Sequence, residues 1–188
     1  MSDFTLTSAP PLAGTDRSFD GVTLRAPADL AIVSIALPLG AEEAARKAVK
    51  TAFGAALPEP GKSAPAKDGA RLLRLSPDQA FVLFTHPAPD AEPVIAARLK
   101  GAAYTTDQTD VWCALELSGP NARAALERIC PIDLHPDAFA VDDLVRTVME
   151  HLGTIILRTD ADTFLLLSAS SSARSFLHAV ETSIGNVL

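Results

Sequence analysis

Histidine is the side chain most able to move protons near neutral pH, and His135 has the most suggestive neighbours of the four in this chain. It lies in a polar loop two residues after Asp133, a carboxylate that could fix the imidazole tautomer and so begin a general-base pair. No serine or cysteine nucleophile is predicted beside them, and Pro131 and Pro136 favour a rigid loop. A structural or interface role for His135 is therefore favoured over catalysis.

A second polar group lies near the end of the chain, on a predicted helix. Arg174, His178 and Glu181 recur at i, i+4 and i+7, which places them on one helix face. The simplest interpretation of such a stripe is a solvent-exposed helix face. The more specific alternative is a surface that contacts a partner. His151 falls at the end of a predicted strand, outside this stripe.

The sequence contains little that indicates a metal site, a nucleotide site or a disulfide bond. Gly61, Lys62 and Ser63 imitate the end of a phosphate-binding loop, but Ala56 replaces the first glycine of that motif. No Gly-x-Gly-x-x-Gly string occurs, which argues against a Rossmann dinucleotide site. Cys113 and Cys130 lack the paired ligands of a zinc site. We expect Cys113 to point into the sheet core, Cys130 to lie at a helix end, and both to be reduced. We therefore expect no cofactor or metal in this chain.

Composition sets the broad class. The chain has 188 residues, of which 48% are hydrophobic and 21% charged, so global disorder is not expected. A formal net charge of −7 argues against nucleic acid or an anionic membrane as partners. The most apolar run, over 30–39, is about half the roughly 20 residues that a membrane span needs. The amino terminus lacks the basic segment and apolar core of a secretory signal, so we expect a cytoplasmic protein.

Hydrophobic periodicity predicts the elements that position these side chains. An extended arm is expected over 1–20, a first α+β subdomain over 21–104 and a second over 105–188. In the first subdomain we predict strands over 22–24, 31–37, 71–75 and 80–85, helices over 41–53 and 91–99, and a loop over 58–69. In the second we predict strands over 111–117, 144–151, 154–159 and 163–168, and helices over 120–129 and 172–184. Each half then reads strand, helix, strand, strand, helix, which suggests two ferredoxin-like βαββα units side by side in an α+β fold.

The start of the second half resembles a known family, the gamma subunits of heterotetrameric sarcosine oxidase. The similarity rests on the Asp107-Gln108-Thr109 turn, the strand after it, the helix start Leu117-Ser118-Gly119-Pro120-Asn121-Ala122, and the loop Cys130-Pro131-Ile132-Asp133-Leu134-His135-Pro136. It extends to Arg146, Thr147, His151, the run from 173 to 176, His178 and Glu181, and more loosely to 57–60 and 75–78. More remotely, residues 107–122 are similar to the folate-binding domain of glycine-cleavage T-proteins, which are aminomethyltransferases. This second resemblance implies the same layout for the second half.

The resemblance implies a function for the complex and a supporting role for this chain. The assembly would oxidatively demethylate sarcosine to glycine with O₂ and tetrahydrofolate, and alpha, beta and delta subunits would be the partners. FAD, FMN, NAD and tetrahydrofolate would bind in those partner subunits and none in this chain. The T-protein aspartate that helps activate folate-bound substrate aligns with residues 151–152, where no carboxylate stands, and the family's asparagine appears as Ser168. Since that acid would stabilise a developing cation, we expect this chain alone to be non-catalytic.

A contact surface is expected at the loop around His135, the Trp112 region and the amino-terminal arm. The candidate interface residues are Asp107, Trp112, Asp133, His135, Arg146, His151, Arg174 and His178. The alternatives are a stand-alone folate-binding or aminomethyltransferase-like protein, and a free scaffold that never joins an oxidase.

Overall fold

The computed structural model describes residues 9–188, and in this part of the chain two antiparallel sheets pack face to face between two pairs of helices. Residues 1–8 of the predicted arm lie outside the described residues. The strands are β1 (Asp16–Phe19), β2 (Val22–Arg25), β3 (Leu30–Ala36), β4 (Lys62–Pro65), β5 (Arg71–Arg74), β6 (Gln79–Thr85), β7 (Tyr104–Asp107), β8 (Trp112–Ser118), β9 (Leu144–Met149), β10 (Leu152–Asp160) and β11 (Thr163–Ala169). The helices are α1 (Glu42–Phe53), α2 (Ala91–Leu99), α3 (Ala122–Glu127) and α4 (Ala173–Gly185).

Both sheets have the strand order of a ferredoxin-like unit. The five-stranded sheet runs β4-β5-β6-β3-β7, with α1 after the inner strand β3 and α2 leading into β7. The six-stranded sheet runs β1-β2-β8-β11-β10-β9, with α3 and α4 in the corresponding places. The predicted α+β fold with two such units is thus confirmed.

Strand pairing crosses the boundaries that the sequence suggested. Residues 16–19 were predicted as arm and 22–24 as part of the first subdomain, but β1 and β2 both join the six-stranded sheet, where Leu24 pairs with Leu117. The reason is burial, since Val22 and Leu24 join the core beneath α3 and α4. The boundary between residues 104 and 105 falls inside β7, which pairs with β3.

The predicted loop over 58–69 contains a further strand. β4 pairs with β5 although it carries Pro65, because an edge strand tolerates a residue without an N–H donor. Lys62 of the phosphate-loop imitation lies in this strand, where it forms an ion pair with Asp143. Because Lys62 and Ser63 lie in a β-strand, their backbone is extended and does not form a phosphate cradle.

Three clusters of buried side chains hold these layers together. Phe176 and its neighbours fill the space between α3, α4 and the six-stranded sheet, and Phe53 lies in the matching core under α1 and α2. Between the sheets, Ile32 and Phe81 meet Leu157 and their neighbours. Each fully buried side chain of this size contributes about 1.5–3 kcal/mol, so the inter-sheet cluster stabilises the packing of one unit on the other.

One close backbone approach fixes the β1–β2 turn against α3. Gly119 has φ of +115°, and a Cβ there would lie 2.5 Å from the carbonyl oxygen of Gly21. The backbone N–H of Asn121 donates to the same oxygen at 3.1 Å. Glycine at 119 is therefore required by both conformation and space.

None of the helices in the described part of the chain is long and apolar enough to cross a bilayer.

Candidate partner interface

The structure brings Trp112 and Arg146 together at one end of the core between the sheets. Strands β8 and β9 are separated by β11 and β10, yet the Arg146 Cζ lies 5.5 Å from the centre of the Trp112 ring. Trp112 also stands edge-on to Phe81 of the other sheet, with ring centroids 6.0 Å apart. A guanidinium held over an indole gains cation–π attraction, so this arginine is positioned rather than freely sampling solvent.

The loop around His135 is anchored by apolar residues and presents its polar ones outward. Leu134 and Phe139 are buried, while Asp133 and His135 are exposed. Asp133 accepts the backbone N–H of His135 at 2.9 Å, and the His135 ring Nδ1 accepts the N–H of Asp137 at 3.3 Å. The Asp133 carboxylate, which could have fixed the imidazole tautomer, accepts a hydrogen bond from the loop backbone instead.

The predicted stripe on α4 is divided between two environments. Glu181 forms a 2.6 Å ion pair with Arg17 of β1, whereas Arg174 and His178 are exposed. His178 lines an open groove of about 390 Å³ between α4, the end of α3 and the β9–β10 turn. Glu150 lies on the rim of the same groove. The stripe is thus not one continuous polar surface.

His151 and Asp107 lie in turns at separate places. Glu150 and His151 form the two-residue β9–β10 turn, with φ of 47° and 70°. Asp107 closes a turn after β7, where its Oδ1 accepts the N–H of Thr109 at 2.8 Å. Thr109 in turn bonds the backbone of Ile32 through its hydroxyl. Asp107 therefore has a clear structural task, and its role as an interface residue stays a prediction.

The positions that align with T-protein chemistry lie at a hairpin tip and inside the sheet. His151 is exposed at the hairpin tip, and the Ser168 hydroxyl donates to the carbonyl of Gly153 at 3.0 Å inside the sheet. Glu150 is the carboxylate next to His151, and it lies on the open rim of the groove. An exposed carboxylate is stabilised by water, so it gains little of the strength that a closed site would give it.

Other reactive groups are also occupied or buried. His86 lies 2.6 Å from the Asp90 carboxylate, and this hydrogen bond lowers the pKa of Asp90. Burial raises the pKa of the Cys113 and Cys130 thiols, which keeps them protonated and unreactive. Among residues 9–188, no group of three or more His, Cys, Asp or Glu side chains is placed to hold a metal ion.

Sequence reasoning missed Val148, the exposed apolar residue two positions after Arg146. It lies on β9 with 52% of its surface exposed. The alternation over 144–151 correctly indicated a strand, but nothing in it indicates that β9 is an edge strand. Only the strand order reveals that Val148 and Arg146 lie at a sheet margin.

Comparison with known proteins gives a consistent family. Residues 38–184 match the model of the sarcosine oxidase, gamma subunit family. The sarcosine oxidase subunit gamma of Corynebacterium sp. (strain P-1) is 30% identical over 132 residues, which cover 70% of this chain and 65% of that protein. The chain spans slightly less than two thirds of the length of the curated relatives it matches, between 62% and 65%.

Solved structures share the fold. A chain of the heterotetrameric sarcosine oxidase from Corynebacterium sp. U-96 in complex with pyrrole 2-carboxylate matches with a TM-score of 0.81 at 23% identity, over 96% of each chain. The glycine cleavage system aminomethyltransferase T from Bartonella henselae matches with a TM-score of 0.67 at 16% identity, over 85% of this chain and 45% of that one. The second match confirms the predicted T-protein-like fold.

Proposed function

Because the chain belongs to the sarcosine oxidase gamma subunit family, we propose that it is a structural subunit of a heterotetrameric sarcosine oxidase. The observation that carries this proposal is the family match over residues 38–184, which begins just after β3 and covers the rest of both ferredoxin-like units almost to the end of α4. In this role the chain contributes a rigid surface that holds the alpha, beta and delta subunits in a working arrangement.

The redox chemistry is assigned to the partners. In this proposal they carry FAD, FMN, NAD and the tetrahydrofolate site. They oxidise sarcosine with O₂ to glycine, hydrogen peroxide and either formaldehyde or methylenetetrahydrofolate. The gamma chain itself binds no cofactor, and its cytoplasmic location stays a prediction from the sequence.

Three features of the described residues support a non-catalytic role. His86 and His135 are engaged with neighbouring aspartates or backbone, and His151 and His178 are exposed on a turn and a helix. The thiols are buried with raised pKa values. The hydroxyl of Ser168, at the T-protein asparagine position, donates a hydrogen bond to a backbone carbonyl of the sheet. A binding surface needs none of these groups to react.

Reconstitution tests the proposal directly. The alpha, beta and delta subunits are co-expressed with and without this chain, and the mass of the assembly and its sarcosine-dependent oxygen uptake are measured. We expect omission to lower both the yield of the full complex and the turnover. Unchanged assembly and turnover without the chain would contradict a bracing role.

The alternative function, a stand-alone folate-binding protein, is separated by a titration. Tetrahydrofolate is added to the isolated chain and the quenching of its single tryptophan, Trp112, is followed. We expect no saturable quenching in the low micromolar range. Saturable binding there would favour the folate-binding alternative over a cofactor-free subunit.

A further inference from the structure

The margin of the six-stranded sheet at β9 is open beyond its first residues. At the start of β9 the N–H of Leu144 donates to Gly61 at 2.9 Å, which ties this strand to β4 of the other sheet. Further along, β9 pairs only with β10 among the described residues. The open stretch runs from Val145 to the hairpin turn.

The hairpin register shows which backbone groups face outward. Met149 and Leu152 flank a two-residue turn, so N–H and C=O groups of Met149 and Thr147 point to β10. Those of Arg146 and Val148 then point away from it. The outward bond of Leu144 follows the same alternation. No backbone group within residues 9–188 satisfies these outward donors and acceptors at Arg146 and Val148.

The side chains beside this edge form a small, prepared surface. Arg146 and Val148 point to the same face of the sheet because they are two residues apart in a strand. Val148 lies opposite Gly153, where a Cβ would have no neighbour within 4 Å, so the sheet is open beside it. Arg146 lies over the Trp112 ring, and no carboxylate in the described part of the chain forms an ion pair with it.

The opposite margin of the same sheet is built differently. The β1 strand carries Asp16 and Arg17, which form ion pairs with Arg25 and Glu181, and charged residues protect an edge from pairing. At β9 the one charge lies back over an indole, and a half-exposed valine stands next to it. Soluble proteins avoid such edges unless a partner covers them.

The turn beside this edge is also held in an unfavourable conformation. Glu150 and His151 both adopt positive φ, where two-residue hairpins normally use Asn-Gly or Asp-Gly. Strain of this kind persists where the surrounding structure fixes it, and it is concentrated at functional sites. The N–H of Glu150 donates to Ile129 at 3.2 Å, which helps to fix the turn and keeps β9 extended.

We propose that the open edge of β9 binds an extended segment of a partner subunit, which adds to the six-stranded sheet as a further strand. The segment places a carboxylate opposite the Arg146 guanidinium and an apolar side chain opposite Val148. A partner with an acidic residue and an apolar residue two positions apart meets both, because alternate residues of a strand share a face. This inference rests on the proposed function, since it names the surface through which the subunit assembles.

A proline substitution tests strand addition in the co-expressed complex. Val148→Pro removes an outward N–H and leaves the bonds to β10 in place, so the isolated chain is expected to keep its fold. Ser18→Pro is the matched control, because the N–H of Ser18 points outward at the other margin of the same sheet. We expect Val148→Pro to weaken association with the partner subunits roughly tenfold or more, the effect of losing a backbone hydrogen bond at a buried edge. Ser18→Pro is expected to associate normally.

A second pair of variants tests the charge and does not depend on the proline. Arg146→Met keeps an apolar chain on Trp112 but removes the cation, and Arg146→Glu reverses it. We expect both to weaken association, Arg146→Glu more strongly, and Arg146→Met to make it less sensitive to salt. Circular dichroism melting of each isolated variant checks that the fold is retained.

The possible outcomes distinguish failure of the β9 edge proposal from failure of the proposed function. If the wild-type chain assembles and Val148→Pro, still folded, assembles equally well, the edge inference is wrong and the proposed function stands. If the isolated chain forms a homodimer in sedimentation analysis and Val148→Pro abolishes it, the edge binds a second copy and the inference is also overturned. Failure of the wild-type chain to assemble at all would overturn the proposed function itself.

Discussion

Gly119→Ala should destabilise the fold strongly although it adds a single methyl group. The φ of +115° is costly for any residue with a side chain, by about 1–3 kcal/mol. The new Cβ would also lie 2.5 Å from the Gly21 oxygen and 3.1 Å from the Gly21 carbonyl carbon. Relieving that contact requires the β1–β2 turn to move by about 0.8 Å, to a normal C···O separation of about 3.3 Å. Overpacking of this kind costs a further 1–3 kcal/mol or so.

The two contributions sum to about 2–6 kcal/mol, a large part of the roughly 5–15 kcal/mol that stabilises a typical domain. Urea unfolding followed by circular dichroism measures this loss, and the melting temperature should fall on the order of 10 °C. Gly185→Ala is the control, because Gly185 ends α4 and has no atom within 4 Å of a built Cβ. It should change stability by less than about 1 kcal/mol, in the stabilising direction. If Gly119→Ala unfolds at the same urea concentration as the wild type, the close approach of the hairpin to α3 is wrong.

Two further substitutions test buried and surface electrostatics. Arg74 is 2% exposed and its guanidinium donates to three backbone carbonyls. Arg74→Met leaves these acceptors unpaired, so it should lower the free energy of unfolding in urea by about 2–5 kcal/mol. An unchanged urea midpoint would mean that these bonds do not contribute to stability. His86→Ala should raise the pKa of Asp90 towards its ordinary value, as measured by NMR titration of the carboxyl carbon, because the His86 hydrogen bond is the largest cause that lowers it. A carboxyl group whose pKa is lowered in the folded state stabilises the fold at pH values above its ordinary pKa of about 3.8. That contribution is lost as the pH falls through the folded pKa. The wild type should therefore lose more stability than the variant on acidification below the ordinary value. An Asp90 titration unaffected by the substitution would refute the hydrogen bond.

Elements with a clear local period were predictable from sequence. The helix predicted over 91–99 is α2, and the strands predicted over 80–85 and 163–168 match β6 and β11 within one residue. Periodicity is local, because one buried face repeats along a single element. The missed strands β1, β4 and β7 bury at most one residue each, so their sequences show no buried face. The equally short strands β2 and β5 bury two and three residues, and both were predicted. The hydrogen bonds of the missed strands depend on neighbouring strands and not on their own sequence.

The candidate site shows the same division. That Trp112 and Arg146 lie near a surface could be argued from residue types, but their contact depends on the order β8-β11-β10-β9, which places them three strands apart. The Asp133 carboxylate does not pair with the His135 ring, for a local reason. A carboxylate two residues before a loop N–H readily accepts it, which is the turn chemistry that aspartate favours.

A strand from the start of the described chain ties the two units together. In the first unit β7 follows α2 and fills the place beside β3. In the second, β2 from the start of the described chain fills the corresponding place beside β8. The β1–β2 hairpin is therefore joined covalently to one unit and hydrogen-bonded into the other, and the two sheets cannot separate without breaking that pairing. The link from β4 to the start of β9 closes the opposite side. These two links limit the movement of one sheet against the other. An added strand at β9 would consequently be held in a constant geometry relative to the whole fold, which is what a bracing subunit requires.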